Sequence, residues 1–404
     1  MRVGIFLVNR LPPTEGGAFS YYDRLIHAID NHPFDPKLEI CFVGREPEAK
    51  IGLKKKYVKL APYFLHRLFT MLNRLGLLPY LLYITRINFD LSNRLDKNIL
   101  KKNGIDVLFY PKQIFQHVDH FPFISMNWDI GHKSTYAFPE LIYNRNFKVR
   151  ESWYQWSLQQ ALAVFVESEH GKQELSHYCA MPLMKFHVIP MFPGRVVELN
   201  VGEAEQREIL NALSLTAGSY FYYPAQYWAH KNHYNLLVAF KQLRDGQTRN
   251  LKLVFTGADF GNKAYVASVI AELGLNDSVM MLNFVTNEAL YTLYKQSIGL
   301  VMPTFLGPTN MPLLEARSLG VPVICTDFDG HREMCGDGAL YITPDQPETI
   351  AEAMQSLLDK NVREALLARA QAFGGQSQFT LQHAVEAIDQ ALVRIRPVRK
   401  TFGN

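Results

Sequence analysis

The chain contains 404 residues, 48% of them hydrophobic and 20% charged, and its 42 Lys and Arg against 38 Asp and Glu leave a net charge of +4. One ordinary hydrophobic core does not extend over this length, so we expect two domains of about 200 residues each. The composition is typical of a globular protein, and the small net charge gives no whole-chain basis for nucleic-acid binding.

Cysteine spacing and the N-terminal sequence bear on where the protein resides. The four cysteines lie far apart without a CxxC pair, which favours buried reduced thiols and a reducing compartment. The apolar run Val3–Val8 is shorter than the core of a signal peptide and predicts a buried first strand. The sequence has no apolar stretch of about 18 residues, so we expect no transmembrane helix and a cytoplasmic location.

Short apolar runs alternate with helical patterns along nearly the whole chain. Most runs are rich in Val, Ile, Leu and Phe without polar alternation, as in strands that are covered on both faces. The pattern predicts parallel sheets in an α/β fold. The predicted strands are Val3–Val8, Leu38–Val43, Val107–Tyr110, Phe123–Met126, Ala163–Glu167, Phe186–Pro190, Tyr220–Pro224, Lys252–Thr256, Val279–Phe284, Gly299–Pro303 and Val321–Thr326.

The strand series restarts after the segment Met191–Asn200, which contains Pro193 and Gly194. We interpret this segment as a linker, with a first domain over 1–192 and a second over 193–380. The last predicted helix, Leu381–Ile395, is expected to pack back on the first domain within 381–404. The final residues from Arg396 are expected to form a frayed basic tail.

Residues 51–102 form a strongly basic segment, with eleven Lys and Arg against two acidic residues. A basic amphipathic helix can dock on a membrane, because each basic residue near anionic lipid contributes about 1 kcal/mol. The alternative is that the apolar stripe packs on its own domain and the lysines are solvated. The stripe at helical spacing consists of Phe64, Leu65, Leu68, Phe69, Met71, Leu72 and Leu75.

Two glycines, Gly16 and Gly17, stand between the first predicted strand and a helical pattern. Glycines at a strand-to-helix turn let backbone N–H groups approach an anion closely, with the positive end of the helix behind them. An ordinary turn is the alternative interpretation.

A second candidate anion site is the loop of residues 307–312, which precedes the predicted helix Leu313–Leu319. Pro312 suits the first helical turn, and Thr309 and Asn310 suit the cap. Free backbone amides here would face the carboxyl edge of the sheet, where doubly wound folds bind ligands. Glu315, one turn later, is a candidate acceptor for ribose hydroxyls, or else simply an exposed residue.

The third candidate is Lys231, which follows the strand Tyr220–Pro224. A fixed cation at the end of a strand can neutralise a diphosphate leaving group. His230 and His233 nearby do not have the carboxylate or cysteine partners of a metal site, so we expect no metal there. We give the segment 117–120, with two His and one Asp, the same interpretation.

The fourth candidate follows the strand Phe123–Met126, where Asp129 and His132 can line a cleft and contact a sugar. Several familiar patterns are missing from the sequence: GxGxxG, GxxxxGK[ST], GxSxG and HExxH. Their absence disfavours dinucleotide enzymes, P-loop nucleotidases, serine hydrolases and zincins.

Taken in order, these four segments resemble the retaining glycosyltransferases of the GT-B fold, glycosyltransferase family four. The stretches 164–175, 283–294 and 330–344 resemble further parts of that family, so the likeness covers about residues 1–350. The sequence looks most like a GPTN-bearing subgroup associated with bacterial surface polysaccharides, such as O-antigen and lipopolysaccharide. The resemblance implies two Rossmann-like domains that face a central cleft.

The resemblance also implies roles for the candidate residues. Gly16 and Gly17 would contact the donor diphosphate or sugar. Lys231 and the amides of Thr309, Asn310 and Met311 would bind the diphosphate, and Glu315 the ribose. Gln226, at the position of the family's arginine, would also contact the donor. Asp129 and His132 would orient the donor sugar or the acceptor hydroxyl. The sequence departs from the family at Gly307, where the first glutamate of an acidic pair is usual, at Gln226, where arginine is usual, and at Trp128, where histidine is usual.

We therefore expect a metal-independent enzyme without a cofactor. It would move a hexose, mannose-like or rhamnose-like, from a nucleotide diphosphate sugar to a glycan or lipid-linked acceptor. Peripheral contact with the cytoplasmic face of the inner membrane would fit the basic segment. Two alternatives stay open, namely a GT-B nucleotide-sugar epimerase and an inactive nucleotide-sugar-binding protein. The base, sugar, linkage and acceptor are not specified by the sequence.

Overall fold

The computed structural model describes residues 1–7, 16–45, 52–61, 91–115, 117–246, 250–373 and 378–403. These residues form two β-sheets in which all paired strands are parallel, with helices between most successive strands. The α/β class predicted from the unbroken apolar runs is therefore confirmed.

The first sheet has seven strands in the order β3-β2-β1-β4-β5-β6-β7. Its central strands β4, β5 and β6 are buried at every position, which explains their continuous apolar sequences. The strands are β1 (Arg2–Phe6), β2 (Glu39–Gly44), β3 (Tyr57–Lys59), β4 (Val107–Tyr110), β5 (Phe123–Met126), β6 (Ala163–Val166) and β7 (Phe186–Val188).

The second sheet has six strands in the order β10-β9-β8-β11-β12-β13. Its interior strands β11 and β12 are likewise buried throughout. The strands are β8 (Tyr220–Pro224), β9 (Lys252–Thr256), β10 (Val279–Leu282), β11 (Gly299–Met302), β12 (Val323–Thr326) and β13 (Ala339–Ile342).

The α-helices among the described residues connect and flank these strands. In the first half they are α1 (Gly17–Asn31), α2 (Leu91–Lys102), α3 (Gly131–Ser134), α4 (Pro139–Ile142), α5 (Asn146–Ser152) and α6 (Glu169–Cys179). In the second half they are α7 (Glu203–Ala212), α8 (His233–Asp245), α9 (Lys263–Glu272), α10 (Asn287–Lys295), α11 (Met311–Ser318), α12 (Asp329–Cys335), α13 (Pro347–Ser356), α14 (Lys360–Ala372) and α15 (Leu381–Lys400).

The eleven predicted strands are all found, with ends that shift by up to two residues. Two strands were missed, β3 and β13, and both lie at the edge of a sheet. Tyr57–Lys59 has three residues inside the basic segment, and Tyr341 is only half-buried. Such short edge strands carry too little apolar sequence to be recognised locally.

The C-terminal helix is longer than expected. The prediction of a frayed tail from Arg396 was wrong as far as Lys400, because α15 continues through Pro397 to that residue. Arg399 Nε holds the end of the helix by donating to the carbonyl of Asp106, at 2.6 Å. Asp389 on the same helix accepts a hydrogen bond from the backbone N–H of Asp35. The helix α15 therefore packs beside α1, in the half of the molecule that contains the first sheet. The domain boundary near residue 193 stays a prediction.

The basic segment is only partly described. The predicted amphipathic helix 64–75 lies outside the described residues, while β3 and α2 occupy the ends of the segment. Lys55 is bound within its own domain, since its Nζ donates to the carbonyl of Asp30 at 2.8 Å. Within the described ranges, none of the helices is both long and apolar enough to cross a bilayer. Membrane contact therefore stays a prediction.

All four cysteines, Cys41, Cys179, Cys325 and Cys335, are buried free thiols. This agrees with the interpretation that they are small apolar residues of the core rather than a disulfide framework.

The strand order positions the candidate residues. It reverses between β1 and β4 in the first sheet and between β8 and β11 in the second. In a parallel sheet, loops on either side of such a reversal diverge and leave a crevice at the carboxyl ends of the strands. Gly16 follows β1, Lys231 follows β8, and the loop 307–312 follows β11. The predicted residues thus lie at the reversal points of both sheets.

Candidate active site

A pocket of about 370 Å³ lies between the two halves of the molecule. Five of the predicted donor-binding residues line it: Gly16, Gly17, Gln226, Met311 and Glu315. Pro312, from the predicted loop 307–312, also lines the pocket. The rest of the wall was not predicted and consists of Phe19, Ser20, Asp23, Gly194, Arg195, Val196, Pro224, Ala225, Thr256, Gly257, Asn283, Phe284, Val285, Asn287 and Leu290. The remaining predicted site residues do not line this pocket, and they are Asp129, His132, Lys231, Thr309 and Asn310.

The paired glycines meet the second half of the molecule at Gln226. Gly16 has φ +61°, and a Cβ atom built on it would overlap Nε2 of Gln226. Gly17 begins α1, and a Cβ atom there would meet no atom within 4 Å. Gly16 is therefore required for the backbone turn and the close approach, whereas Gly17 faces open space in the pocket.

Gln226 is itself held in place. Its Oε1 accepts a hydrogen bond of 2.5 Å from the backbone N–H of Ala258, beyond the end of β9. A neutral amide at this position offers no charge to a diphosphate. The fixed cation of the site has to come from another residue.

Lys231, Asn310 and His331 form a chain of hydrogen bonds. Lys231 Nζ donates to Asn310 Oδ1 at 3.0 Å, and Asn310 Nδ2 contacts His331 Nε2 at 2.9 Å. His331 Nδ1 lies 2.8 Å from the carbonyl oxygen of Thr326, which can only accept. The proton is therefore on Nδ1, and Nε2 accepts from Asn310. This chain fixes the amide of Asn310 with its oxygen towards the lysine.

The charge of Lys231 is sensitive to its surroundings. Burial lowers the pKa of Lys231 to about 8, and the carboxylates of Asp129 and Glu140 raise it in part. At neutral pH the ammonium group is mostly charged, and a bound anion would favour the charged form further. The group is thus suited to neutralise negative charge on a ligand.

The loop 307–312 leads into α11, with Asn310 at the N-cap and proline in the first turn, as predicted. The side chain of Asn310 makes no capping hydrogen bond, however, because its amide is bound to Lys231 and His331. Thr309 does not cap the helix either, since its hydroxyl donates to Glu167 Oε2. Neither of these side chains occupies the first backbone amides of α11.

Glu315 is buried and lines the pocket. Its Oε2 accepts from the hydroxyl of Tyr294 at 2.7 Å, and its Oε1 accepts from the backbone N–H of Gly194 at 3.2 Å. Burial raises the pKa of Glu315, while these two donors counteract the increase. The alternative that Glu315 is merely exposed is excluded, and its carboxylate joins the linker segment to the pocket wall.

Asp129 and His132 are separated by an arginine. The guanidinium of Arg150 contacts Asp129 Oδ1, and Arg150 Nε donates to His132 Nδ1 at 3.3 Å. His132 Nε2 then donates to Glu151 Oε1 at 2.7 Å, so both ring nitrogens are occupied. Burial, followed by the charge of Arg150, lowers the pKa of His132. His132 is buried, and Arg150 links it to Asp129.

Three groups near the predicted residues were missed by the sequence analysis. Glu167 follows β6, Glu140 lies in the first turn of α4, and His331 lies in α12. Glu140 accepts from the backbone N–H of His230 at 3.0 Å and also contacts its ring. Glu167 could have been found from the sequence, because it is an acid directly after a buried strand, at the same sheet edge as Asp129. Glu140 and His331 could not, because no local pattern marks their hydrogen-bond partners.

No group of three or more His, Cys, Asp or Glu with the geometry to hold a metal ion occurs within the described part of the chain. The segments 117–120 and 230–233 are included in this finding, since both are described. The prediction of a metal-independent reaction stays untested.

A known protein family matches the second half of the chain. Residues 207–373, which include all strands of the second sheet, match the family Glycosyl transferases group 1. The match covers less than half of the chain. Lys231, the loop 307–312 and Glu315 all lie within the matched region.

Two curated relatives of known activity share part of this sequence. The O-antigen chain mannosyltransferase B of Escherichia coli is 31% identical over 171 residues, which are 42% of this chain and 45% of that protein. The O-antigen chain mannosyltransferase RfbU of Salmonella typhimurium is 28% identical over 139 residues, or 34% of this chain and 38% of that protein. The chain thus spans less than half the length of either relative.

Solved structures match over nearly the whole chain. Anabaena HepE in complex with UDP-glucose has a TM-score of 0.68 at 16% identity, covering 98% of this chain and 100% of that one. WaaG, a glycosyltransferase involved in lipopolysaccharide biosynthesis, has a TM-score of 0.66 at 13% identity, covering 96% and 99%. These matches confirm the predicted GT-B arrangement of two Rossmann-like domains around a cleft.

Proposed function

We propose that this protein is a retaining glycosyltransferase of family four that acts in the synthesis of bacterial surface polysaccharide. The donor is a nucleotide diphosphate hexose, with a mannosyl group as the first choice. The acceptor is a glycan or a lipid-linked oligosaccharide. The match to the family Glycosyl transferases group 1 and the similarity to two O-antigen mannosyltransferases support this choice.

One observation carries the proposal. The pocket is lined from the first sheet's side by Gly16 and Gly17 and from the second by Gln226, Met311 and Glu315. Lys231 donates a hydrogen bond to Asn310, the residue that directly precedes Met311. The cavity has glycines and the first turn of α11 in its wall and a cation beside it, bonded to the residue before Met311. Close-approaching glycines, helix-terminal amides and a cation are the groups that bind a diphosphate.

The proposed reaction is a group transfer. The bond between the anomeric carbon and the β-phosphate oxygen breaks, and its electron pair leaves with the diphosphate. The acceptor oxygen bonds to the anomeric carbon from the same face, and its proton passes to the departing diphosphate. Lys231 and the amides after Thr309 stabilise the developing charge. Asp129 orients the sugar or acceptor hydroxyl, and His132 acts on Asp129 through Arg150.

A ligand screen tests the donor. We expect UDP-, GDP- or dTDP-sugars to raise the melting temperature, because a ligand that binds only the folded state stabilises it. The nucleotide sugar that gives the largest shift is then incubated with and without a lipid-linked oligosaccharide extract. Nucleotide diphosphate release and the anomeric configuration of the product are measured by chromatography and NMR.

The outcomes separate the alternatives. Transfer to acceptor with retained configuration supports the proposal, and inverted configuration contradicts the retaining mechanism. An epimerised donor without acceptor would indicate the epimerase. Binding without turnover would indicate the inactive binding protein. The similarity to mannosyltransferases does not favour either alternative.

A cytoplasmic location with peripheral contact at the inner membrane completes the proposal. The basic segment 51–102 supports it through its charge. Co-sedimentation with anionic vesicles, compared with neutral ones, tests the contact directly.

A further inference from the structure

One carboxyl group reaches from the first sheet to the loop of the second. Glu167 follows β6 directly and is only 4% exposed. Its Oε2 accepts a hydrogen bond from the hydroxyl of Thr309, which lies 142 positions further along the chain. Thr309 is also buried, at 7% exposure. The contact therefore joins the two halves of the molecule at the loop that carries the candidate diphosphate amides.

The loop has no charged group of its own. Residues 307–312 are Gly, Pro, Thr, Asn, Met and Pro, none of which titrates. The second carboxyl at the same sheet edge is Asp129, which follows β5, the strand paired in parallel with β6. Burial raises the pKa of Glu167 to about 8, the Thr309 hydroxyl lowers it in part, and the charge of Asp129 raises it. Glu167 is therefore mostly neutral at pH 7.

The contact also controls the neighbouring residue. Asn310 follows Thr309 directly, and its amide is bound to Lys231 and His331. A displacement of Thr309 would move the backbone of Asn310 and disturb its bond to the lysine. The group that fixes Thr309 thus acts on the whole anion-binding arrangement.

Other contacts hold the same loop closely. A Cβ atom at Gly330 would overlap the carbonyl of Pro308, and a Cβ atom at Gly131 would overlap the side chain of Leu306. The Gly330 contact is within the second domain, whereas Gly131 belongs to the first. Just before the loop, the hydroxyl of Thr135 donates to the carbonyl of Phe305 at 3.2 Å. Within residues 307–312, the Glu167 hydrogen bond is the polar link to the first half among the described contacts.

We propose that Glu167 is a positioning residue of the donor site, which holds Thr309 so that the loop 307–312 takes its binding shape when the two halves are together. This inference rests on the proposed function, because it assumes that the loop binds a nucleotide diphosphate. Glu167 does not touch the reacting atoms. It acts through Thr309 on the backbone amides and through Asn310 on Lys231.

Side-chain substitutions at the two ends of the contact test this role. Glu167→Gln keeps the length and the hydrogen bond of the neutral carboxyl, whereas Glu167→Ala and Thr309→Val remove the contact. We expect Glu167→Ala and Thr309→Val each to raise the donor KM tenfold or more, with little change in the acceptor KM. Glu167→Gln should restore most of the donor affinity. Glu169→Ala, an exposed acid two residues further on, is the matched control and should leave both KM values unchanged.

The double variant Glu167→Ala/Thr309→Val gives the decisive comparison. If the two residues act only through each other, the double variant should be no worse than either single variant. Three outcomes would each overturn the inference. They are a double variant whose loss is the product of the two single losses, a normal donor KM in Glu167→Ala, and a Glu167→Gln variant that binds donor as weakly as Glu167→Ala. A general loss of packing would raise donor and acceptor KM alike, and that result would overturn it too.

The wild-type protein separates this inference from the proposed function. Wild-type protein that neither binds nor turns over any of the UDP-, GDP- and dTDP-sugars would refute the proposed function. Wild-type turnover together with an unaffected Glu167→Ala variant would refute only the positioning role.

Discussion

The ammonium nitrogen of Lys231 donates a hydrogen bond of 3.0 Å to Oδ1 of Asn310, although the two residues lie 79 positions apart. The bond joins the loops that follow β8 and β11, on either side of the strand-order reversal in the second sheet. Asn310 is oriented in turn by His331, whose neutral ring accepts from its amide. A cation is therefore held beside the first amides of α11 before any ligand arrives.

The first prediction concerns this cation. Lys231→Ala should lower turnover by about 10²–10³, because a preorganised group that stabilises developing charge contributes that much. Lys241→Ala is the control, since Lys241 lies on the neighbouring helix α8 and pairs at the surface with Asp245. Steady-state kinetics of both variants, with circular dichroism to confirm folding, provide the measurement. A Lys231→Ala enzyme as active as the control would remove this lysine from the mechanism.

The two glycines give a matched pair of variants. Gly16→Ala should destabilise the fold, because its φ of +61° disfavours a side chain and its Cβ would overlap Gln226. Strained backbone of this kind costs about 1–3 kcal/mol. Gly17→Ala should unfold like the wild type, since its Cβ would meet no protein atom within 4 Å.

Gly17→Ala should weaken donor binding although it leaves the stability of the fold unchanged. Its methyl group would project into space at the pocket wall, so we expect a weaker donor affinity with normal stability. Urea unfolding and calorimetric titration with the nucleotide sugar measure the two effects. Unchanged donor affinity in Gly17→Ala would show that the ligand does not approach this glycine.

A third prediction separates ligand binding from packing at Glu315. Glu315→Ala leaves the hydroxyl of Tyr294 and the N–H of Gly194 without their acceptor, which costs about 1–3 kcal/mol for a buried group. Tyr294→Phe removes one of these bonds and keeps the carboxylate. We expect Glu315→Ala to raise the nucleotide Kd at least tenfold, and Tyr294→Phe to change it less than about threefold. Equal losses of affinity would indicate that the carboxylate acts only in packing.

The fourth prediction concerns acid sensitivity. Burial lowers the pKa of His331 to about 4, which its bond to Thr326 offsets in part, against about 6.5 in an unfolded chain. The unfolded chain binds more protons below pH 6.5, so the folded state loses stability as the pH falls from 6.5 towards 4. The loss is about 1.4 kcal/mol per pH unit for one such histidine.

His331→Gln should flatten this dependence by about the contribution of one histidine. Glutamine can still accept from Asn310 and donate to the carbonyl of Thr326. Urea unfolding of wild type and variant between pH 4 and 7 gives the comparison. His233, with a pKa lowered by burial to about 3, keeps part of the acid sensitivity in both proteins. Parallel curves for the two proteins would contradict the assignment of a buried neutral ring to His331.

Much of the fold could be predicted from the sequence because it is encoded locally. Buried parallel strands such as Phe123–Met126 need continuous apolar runs, and these runs are visible in the one-dimensional pattern. The edge strand Tyr57–Lys59 was missed because its pairing with β2 needs little apolar sequence. The end of α15 was missed because the contact of Arg399 with Asp106 joins residues 293 positions apart.

The sequence by itself determined the α/β class and which segments follow the strands, since both depend on hydrophobic periodicity and turn residues. It thereby brought Gly16, Lys231 and Asn310 into consideration before any contact was known. Only the tertiary structure decided that Glu315 is buried against Tyr294, that Arg150 separates His132 from Asp129, and that Glu167 meets Thr309. Side-chain partners of this kind depend on how the two sheets approach each other, and that approach is set by contacts across the whole chain rather than by any local pattern.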